Sequence, residues 1–78
     1  MLHYNHEVIK IKNRVKEFRF QQQMKQQELA EKVGATRQTI SLIEKGEYNP
    51  TLKLCLAICY ALEKTLDDVF WIEENSYE

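Results

Sequence analysis

The chain has 78 residues, 44% of them hydrophobic and 29% charged, with two glycines, one proline and two cysteines. This composition predicts one globular domain in a reducing cytoplasm and argues against a membrane span, a signal peptide or a disulfide framework. The net charge of −1 is unevenly distributed, because residues 10–53 carry ten Lys and Arg against five acids, whereas residues 54–78 carry one Lys against six acids. A basic body with an acidic end predicts one face that can bind a polyanion.

The two ends of the chain show strand-like patterns. Residues 1–10 are an N-terminal extension, and residues 8–12 alternate apolar and basic side chains, which is typical of a strand. Residues 69–72 are β-branched and aromatic. We expect the ends to pair as a small antiparallel ribbon, which would need packing on the domain or on a second subunit to be stable. The alternative is that residues 1–10 are disordered and Trp71 extends the last helix.

Three helices are predicted in the basic body. Val15, Phe18 and Phe20 place an apolar stripe on a first helix over residues 13–22. A second helix covers residues 26–33 and ends at Gly34, which has no Cβ to oppose a left-handed backbone. A third helix follows, capped by Thr36 and ended by Gly46. The apolar anchors of the second and third helices are Leu29, Ala30, Val33, Ile40 and Ile43.

The remaining helices follow an Asn-Pro turn. Thr51 caps a fourth helix that extends to about Leu62, and Thr65 with Asp68 predicts a capping box at the start of a fifth. The predicted core stripe of the fourth helix is Leu52, Cys55, Leu56, Cys59 and Leu62, and the fifth carries Leu66, Val69 and Phe70. Residues 73–78 form an acidic C-terminal tail.

Residues 26–45 carry the functional signal. Two short helices joined by a turn containing glycine can present the second helix to a major groove of DNA. Burial of Ile40 and Ile43 turns the opposite face of the third helix outward, and that face with its first turn holds Thr36, Arg37, Gln38, Thr39, Ser41, Leu42 and Lys45. Arg can bond guanine bidentately, Gln can bond adenine, and hydroxyl groups suit phosphates.

The chain resembles the Cro/CI-type (XRE family) helix-turn-helix regulators, and especially the small stand-alone, cytolysin-repressor-like members. The resemblance covers about residues 12–71, and its motifs are Asn13 to Arg19, Gln26 to Ala30, Val33-Gly34, Arg37 to Ser41, Ile43 to Gly46 and Tyr48 to Leu52. It implies an all-α, five-helix, lambda-repressor-like domain over residues 11–72 of a bacterial transcriptional regulator. It also implies homodimers that bind a palindromic operator in double-stranded DNA, and a repressor is the expected outcome.

The resemblance also implies roles for individual residues. Gln26 would bond a phosphate and steady Arg37 or Gln38. The residues facing bases would be Arg37, Gln38, Ser41 and Leu42, and those meeting the phosphate backbone would be Lys45, Tyr48 and Asn49. In the cytolysin-repressor-like relatives, terminal segments pair into a small sheet near the dimer contact. Lys25 departs from the usual Ser or Thr cap, and Gln23 and Glu63 stand where glycine often ends a helix.

Several residues allow more than one interpretation. The candidate dimer contacts are Leu54, Tyr60, Phe70, Trp71 and Ile72, although Phe70 and Trp71 could equally complete the core. Cys55 and Cys59 fit buried apolar positions better than a metal site or redox switch. His3 and His6 fit exposed positions near a terminus. No catalytic, cofactor or metal-ligand motif is present, so we expect no enzyme, cofactor or metal.

Two functional alternatives to DNA binding remain open from the sequence. One is an antitoxin-like or other protein-interaction module, which would hold a partner through the acidic C-terminal end or the apolar fourth helix. The other is ligand sensing through the cysteine pair. Fold alone does not decide among these possibilities.

Overall fold

A computed structural model describes residues 10–73 and contains five helices and a two-stranded antiparallel ribbon. In chain order the elements are β1 (Ile11–Asn13), α1 (Val15–Gln21), α2 (Gln26–Val33), α3 (Arg37–Glu44), α4 (Leu52–Leu62), α5 (Leu66–Val69) and β2 (Phe70–Ile72). The predicted fold class is confirmed, including a ribbon formed by segments near the two chain ends. Helix α1 is shorter than predicted, and within the described residues no helix is long and apolar enough to cross a bilayer.

The predicted threonine caps are present at three helix starts. The side-chain oxygens of Thr36, Thr51 and Thr65 each accept a hydrogen bond from the backbone N–H three residues later, at 3.1, 3.2 and 3.4 Å. The backbone N–H of Thr65 donates to Asp68 Oδ2 at 3.1 Å, which completes a capping box. This hydrogen bond lowers the pKa of the Asp68 carboxyl below its ordinary value.

The ribbon differs from the prediction in its bounds. Ile11 pairs with Ile72, and Asn13 pairs with Phe70. The sequence predicts a strand over residues 8–12, whereas β1 begins at Ile11 and reaches Asn13; Val8 and Ile9 lie outside the described residues. Helix α5 ends at Val69, so Trp71 does not extend it.

Contacts with the helices hold the ribbon on the domain. The Arg14 backbone N–H donates to the Val69 carbonyl at 2.9 Å, and the Arg14 guanidinium lies over the Trp71 ring, 4.6 Å from its centroid. Asn13 accepts from the Val15 N–H at 3.0 Å and donates from Nδ2 to the Ile43 carbonyl at 2.8 Å. Asn13 thus fixes the start of α1 against the end of α3.

The core lies between the helices and corrects the predicted stripes of α1 and α4. The buried apolar side chains are Val15, Met24, Leu29, Ala30, Ile40, Ile43, Cys55, Ile58, Cys59, Leu62, Val69 and Phe70. Phe20, Leu52 and Leu56, which we expected inside, are exposed. The predicted stripe of α4 was rotated, because α4 packs against α1, α2 and α5 with the side that carries Ile58.

Candidate nucleic-acid interface

Helices α2 and α3 and the turn between them form the predicted two-helix unit. Gly34 ends α2 with a left-handed backbone (φ 73°), and Ala30 is completely buried. Ile40 and Ile43 are buried under α3. Because successive helical residues turn by about 100°, the side of α3 away from these anchors faces solvent.

The structure brings the predicted base-reading residues together on that side. Arg37, Gln38 and Lys45 are exposed, and Ser41 and Leu42 are half-buried between them. The Thr36 and Thr39 side-chain oxygens lie 2.9 Å apart, and Thr36 also caps α3, so these hydroxyls are already engaged within the chain. The donors left for a ligand in the first turn are therefore the Gln38 amide and the Arg37 N–H groups that do not point to Gln26.

Gln26, at the start of α2, bridges to two residues of α3. Its Oε1 accepts a hydrogen bond from Arg37 Nη1 at 3.4 Å, and its Nε2 donates to Glu44 Oε1 at 3.0 Å. Of the two residues that Gln26 was expected to steady, the structure pairs it with Arg37. This contact restrains the Arg37 guanidinium at the exposed edge of the unit.

A buried ion pair beneath this contact was not predicted from the sequence. Arg19 Nε lies 2.7 Å from Glu44 Oε2, and the two side chains are only 6% and 4% exposed. Arg19 Nη1 also donates to the Met24 carbonyl at 2.9 Å. A sequence signal does exist, because Arg19 follows Val15 by four residues and Glu44 follows Ile40 by four, which places each charge on a buried helix face.

These contacts form one continuous hydrogen-bonded series from the interior to the surface. It runs from Arg19 through Glu44 and Gln26 to Arg37. The Glu44 carboxylate is held by Arg19 and Gln26, so it does not face outward beside the predicted base-reading residues. The exposed face of α3 therefore carries positive charge from Arg37 and Lys45 with no unpaired carboxylate from α3 itself.

The flanks of the unit offer cations and polar groups for a phosphate backbone. Lys45, Tyr48 and Asn49 are exposed at the end of α3 and in the following turn. Lys25 precedes α2 and makes no side-chain capping bond, although its backbone N–H donates to Glu28 Oε1 at 3.0 Å. Lys25 is therefore an exposed cation at the N-terminus of α2, where the helix dipole is also positive. From the sequence, Lys25 is expected only to be a poor cap.

The candidate dimer residues separate into two groups. Phe70 is buried in the hydrophobic core, and Leu54 is partly buried against that core. Both side chains therefore pack within their own chain. Tyr60, Trp71 and Ile72 are exposed. Of the two alternatives for Phe70, the structure shows the core position, because the start of β2 turns that ring inward.

The cysteine pair lacks the features of a reactive or metal-binding site. Cys55 and Cys59 are free and buried, and burial raises the pKa of both thiols above the ordinary value. Among residues 10–73, no three His, Cys, Asp or Glu side chains come together in a group that could hold a metal ion. His3 and His6 lie outside the described residues.

Comparisons with known proteins agree with this geometry. A family model described as helix-turn-helix matches residues 15–69. The chain is 50% identical over 66 residues to YgzD of Bacillus subtilis, described as an uncharacterized HTH-type transcriptional regulator, with 85% of this chain and 100% of that protein covered. An uncharacterized HTH-type transcriptional regulator of Archaeoglobus fulgidus is 44% identical, with 83% of this chain and 92% of that protein covered.

The fold is also shared with a solved regulator. The transcriptional regulator VanUg has a TM-score of 0.72 against this chain at 26% identity, and the match covers 94% of this chain and 95% of that one. The elements that build the two-helix unit lie within the matched region of the helix-turn-helix family.

Proposed function

The chain belongs to the helix-turn-helix family of DNA-binding transcriptional regulators, and we propose that it binds a palindromic operator as a homodimer, with α3 in the major groove. The proposed outcome is repression in the cytoplasm, which would follow if the operator overlaps a promoter and the bound dimer obstructs the polymerase. Base reading is assigned to Arg37 and Gln38 first, with Ser41 and Leu42 on the same face.

The observation that carries this proposal is the exposed Arg37 guanidinium held by Gln26. Arg37 Nη1 lies 3.4 Å from Gln26 Oε1, and Gln26 is in turn bonded to the buried Glu44 carboxylate. A restrained guanidinium loses less side-chain entropy on binding than a free one, and its planar donors match O6 and N7 of guanine. Gln38, one residue along the helix, has the amide that suits adenine.

Phosphate contacts are assigned to the flanks. Lys45, Tyr48 and Asn49 lie at the end of α3 and in its turn, and Lys25 with the first turn of α2 lies at the other side. Cations and helix N-terminal amides at these places would fix the register of α3 on the duplex without reading sequence. Thr36 and Thr39 act chiefly by capping the N-terminus of α3, since their hydroxyl groups bond within the chain.

Selection of bound sequences from random double-stranded DNA tests the proposal. We expect an enriched site with two inverted half-sites whose centres lie about 34 Å apart, one turn of B-DNA. An enriched site without dyad symmetry would contradict the homodimer. Failure to enrich any sequence above the starting library would contradict sequence-specific binding itself.

A second role has a separate observation behind it. Glu63, Asp67 and Asp68 are exposed where α4 meets α5, and this acidic corner could hold a basic protein partner as an antitoxin does. Co-purification with the purified product of the neighbouring gene tests this role. A complex that survives substitution of Arg37 and Gln38, and is lost when Glu63 and Asp67 are changed to amides while the Asp68 cap is kept, would support it. The two roles can coexist.

A further inference from the structure

Helix α4 carries an apolar stripe that no other part of the described chain covers. Leu52, Leu56 and Tyr60 are 64%, 50% and 88% exposed. Their four-residue spacing places them on one side of the helix, opposite the buried Ile58. Scattered exposed apolar residues are ordinary, but three aligned on one helix face form a contiguous patch of the kind that marks an interaction site.

The charges on this face favour a particular partner. Lys53 is exposed beside Leu52 at the start of α4, and Glu63 is exposed beside Tyr60 just after its end, while residues 54–62 carry no charge. If two copies of α4 pack antiparallel, Lys53 of each approaches Glu63 of the partner subunit, and the apolar stripes meet between them. Parallel packing would place like charges together. The face is therefore self-complementary about a two-fold axis.

The position of the stripe leaves the base-reading face free. Helix α4 packs its buried side against α1, α2 and α5, and its first residue follows the turn that holds Tyr48 and Asn49. Arg37 and Gln38 lie on α3, outside this stripe. A second copy seated on α4 would cover neither of them and would add its own α3 to the assembly.

We infer that the Leu52–Leu56–Tyr60 stripe is the surface through which two copies of the chain pair, antiparallel, with Leu56 at the two-fold axis. This inference rests on the proposed homodimer. The surface differs from the dimer contacts expected from the sequence, because Tyr60 is the only one of those residues that belongs to the stripe. The axis places Leu52 against Tyr60 of the partner subunit. In this register Lys53 and Glu63 of the partner subunit are offset by four residues, about 6 Å along the helices, which the long lysine side chain can span. These rim pairs set the direction of packing rather than most of the affinity.

The size of the stripe sets the expected strength. A stable interface buries about 800 Å² on each partner, and three side chains on a helix of 11 residues supply only part of that area. The free dimer is therefore weak, with a dissociation constant in the micromolar range. On a palindrome, binding of one subunit raises the effective concentration of the second, so pairing strengthens on DNA.

Sedimentation velocity of the full chain between about 1 and 500 µM tests the surface, since this range brackets a micromolar dimer. We expect a reversible monomer–dimer equilibrium. Leu56→Glu and Leu56→Lys each place like charges on the axis and weaken the dimer at least about tenfold. An equimolar mixture of the two variants restores a dimer, because opposite charges then meet. Ile72→Glu, which charges an exposed apolar residue of β2 outside the stripe, is the matched control and leaves the equilibrium unchanged.

A chain that stays monomeric over this range, or a dimer that neither Leu56 variant weakens, would overturn the inference. Recovery in the mixture excludes misfolding as the cause of dissociation. DNA binding is measured separately on the selected site and on one of its half-sites, where the variants should lose affinity only for the full site. If no site is selected, the proposed function fails, while the sedimentation result still decides the pairing surface.

Discussion

The Arg19 guanidinium and the Glu44 carboxylate meet in a bidentate ion pair inside the domain, with Nε–Oε2 and Nη2–Oε1 distances of 2.7 and 3.1 Å. The pair ties α1 to the last residue of α3. Through Gln26 it also reaches Arg37 on the proposed base-reading face, because Glu44 Oε1 accepts from Gln26 and Gln26 accepts from Arg37. If Arg37 reads bases as proposed, stability and DNA recognition share one carboxylate, and substitutions can separate the two effects.

Glu44→Ala should destabilise the fold strongly. It leaves the Arg19 charge buried, with the Met24 carbonyl and the face of the Phe20 ring as its remaining contacts, which costs about 3–5 kcal/mol of unfolding free energy. The double variant Arg19→Met with Glu44→Leu removes both charges and should recover most of this loss. Urea unfolding measures both variants. A double variant as unstable as Glu44→Ala would show that apolar side chains cannot replace the pair.

The same double variant should remain impaired on DNA. Without Glu44, the Gln26 amide loses its hydrogen-bond acceptor, and Gln26 no longer holds Arg37 in place. The affinity for the selected site should therefore fall by about 1 kcal/mol, while the affinity for random-sequence DNA changes little. Fluorescence anisotropy on both duplexes provides the comparison. Full wild-type affinity in a stable double variant would show that the hydrogen-bonded series does not position Arg37.

Lys25→Ser should have opposite effects on stability and DNA binding. Serine supplies the missing acceptor at the start of α2 and should stabilise the fold by about 1 kcal/mol. It also removes an exposed cation at the proposed phosphate flank, so affinity should fall on all sequences and the salt slope should decrease by about 1. Thermal unfolding and anisotropy at several salt concentrations measure these changes. An unchanged salt slope would remove Lys25 from the DNA contact.

Gln23→Gly should stabilise the domain. Gln23 has a left-handed backbone (φ 54°), which costs a residue with a Cβ about 1–2 kcal/mol, partly offset by the greater freedom of glycine in the unfolded chain. A net gain of about 0.5–1 kcal/mol is expected. Gln21→Gly, at the last residue of α1 where the backbone is helical, is the matched control and should lose up to about 1 kcal/mol. Equal losses for both would contradict the backbone explanation.

Cys55 and Cys59 should react slowly with thiol reagents in the native protein. Both are buried, and burial raises the pKa of both thiols, so little thiolate is present at neutral pH. Labelling with a chromogenic disulfide should become fast only in denaturant. Rapid native labelling, or a DNA affinity that changes with oxidant or chelator, would revive a sensing role for the pair.

Features governed by local chemistry were predictable from the sequence. Thr36, Thr51 and Thr65 cap helices as expected, because capping depends on a side-chain oxygen and a nearby backbone N–H. The α2–turn–α3 unit also follows from local spacing and Gly34.

The errors arose where tertiary packing decides which way a helix faces. The apolar spacing of α4 predicts Leu52 and Leu56 in the core, yet α4 buries Ile58 and turns these two leucines toward solvent. Arg19 occupies a buried position of α1 that Phe20 was expected to fill, and its partner Glu44 lies 25 residues away in sequence. Periodicity marks an apolar face but cannot identify a charge that is buried because a distant residue neutralises it.

The most direct test of base reading by α3 compares Arg37→Ala with Lys45→Ala on the selected site and on random DNA. Arg37→Ala should lose about 1–3 kcal/mol of binding free energy on the selected site, relax the preference at one base pair and change random-sequence binding little. Lys45→Ala should weaken both duplexes similarly and reduce the salt slope by about 1. Equal losses on selected and random DNA for Arg37→Ala would contradict the assignment of Arg37 as a base-reading residue.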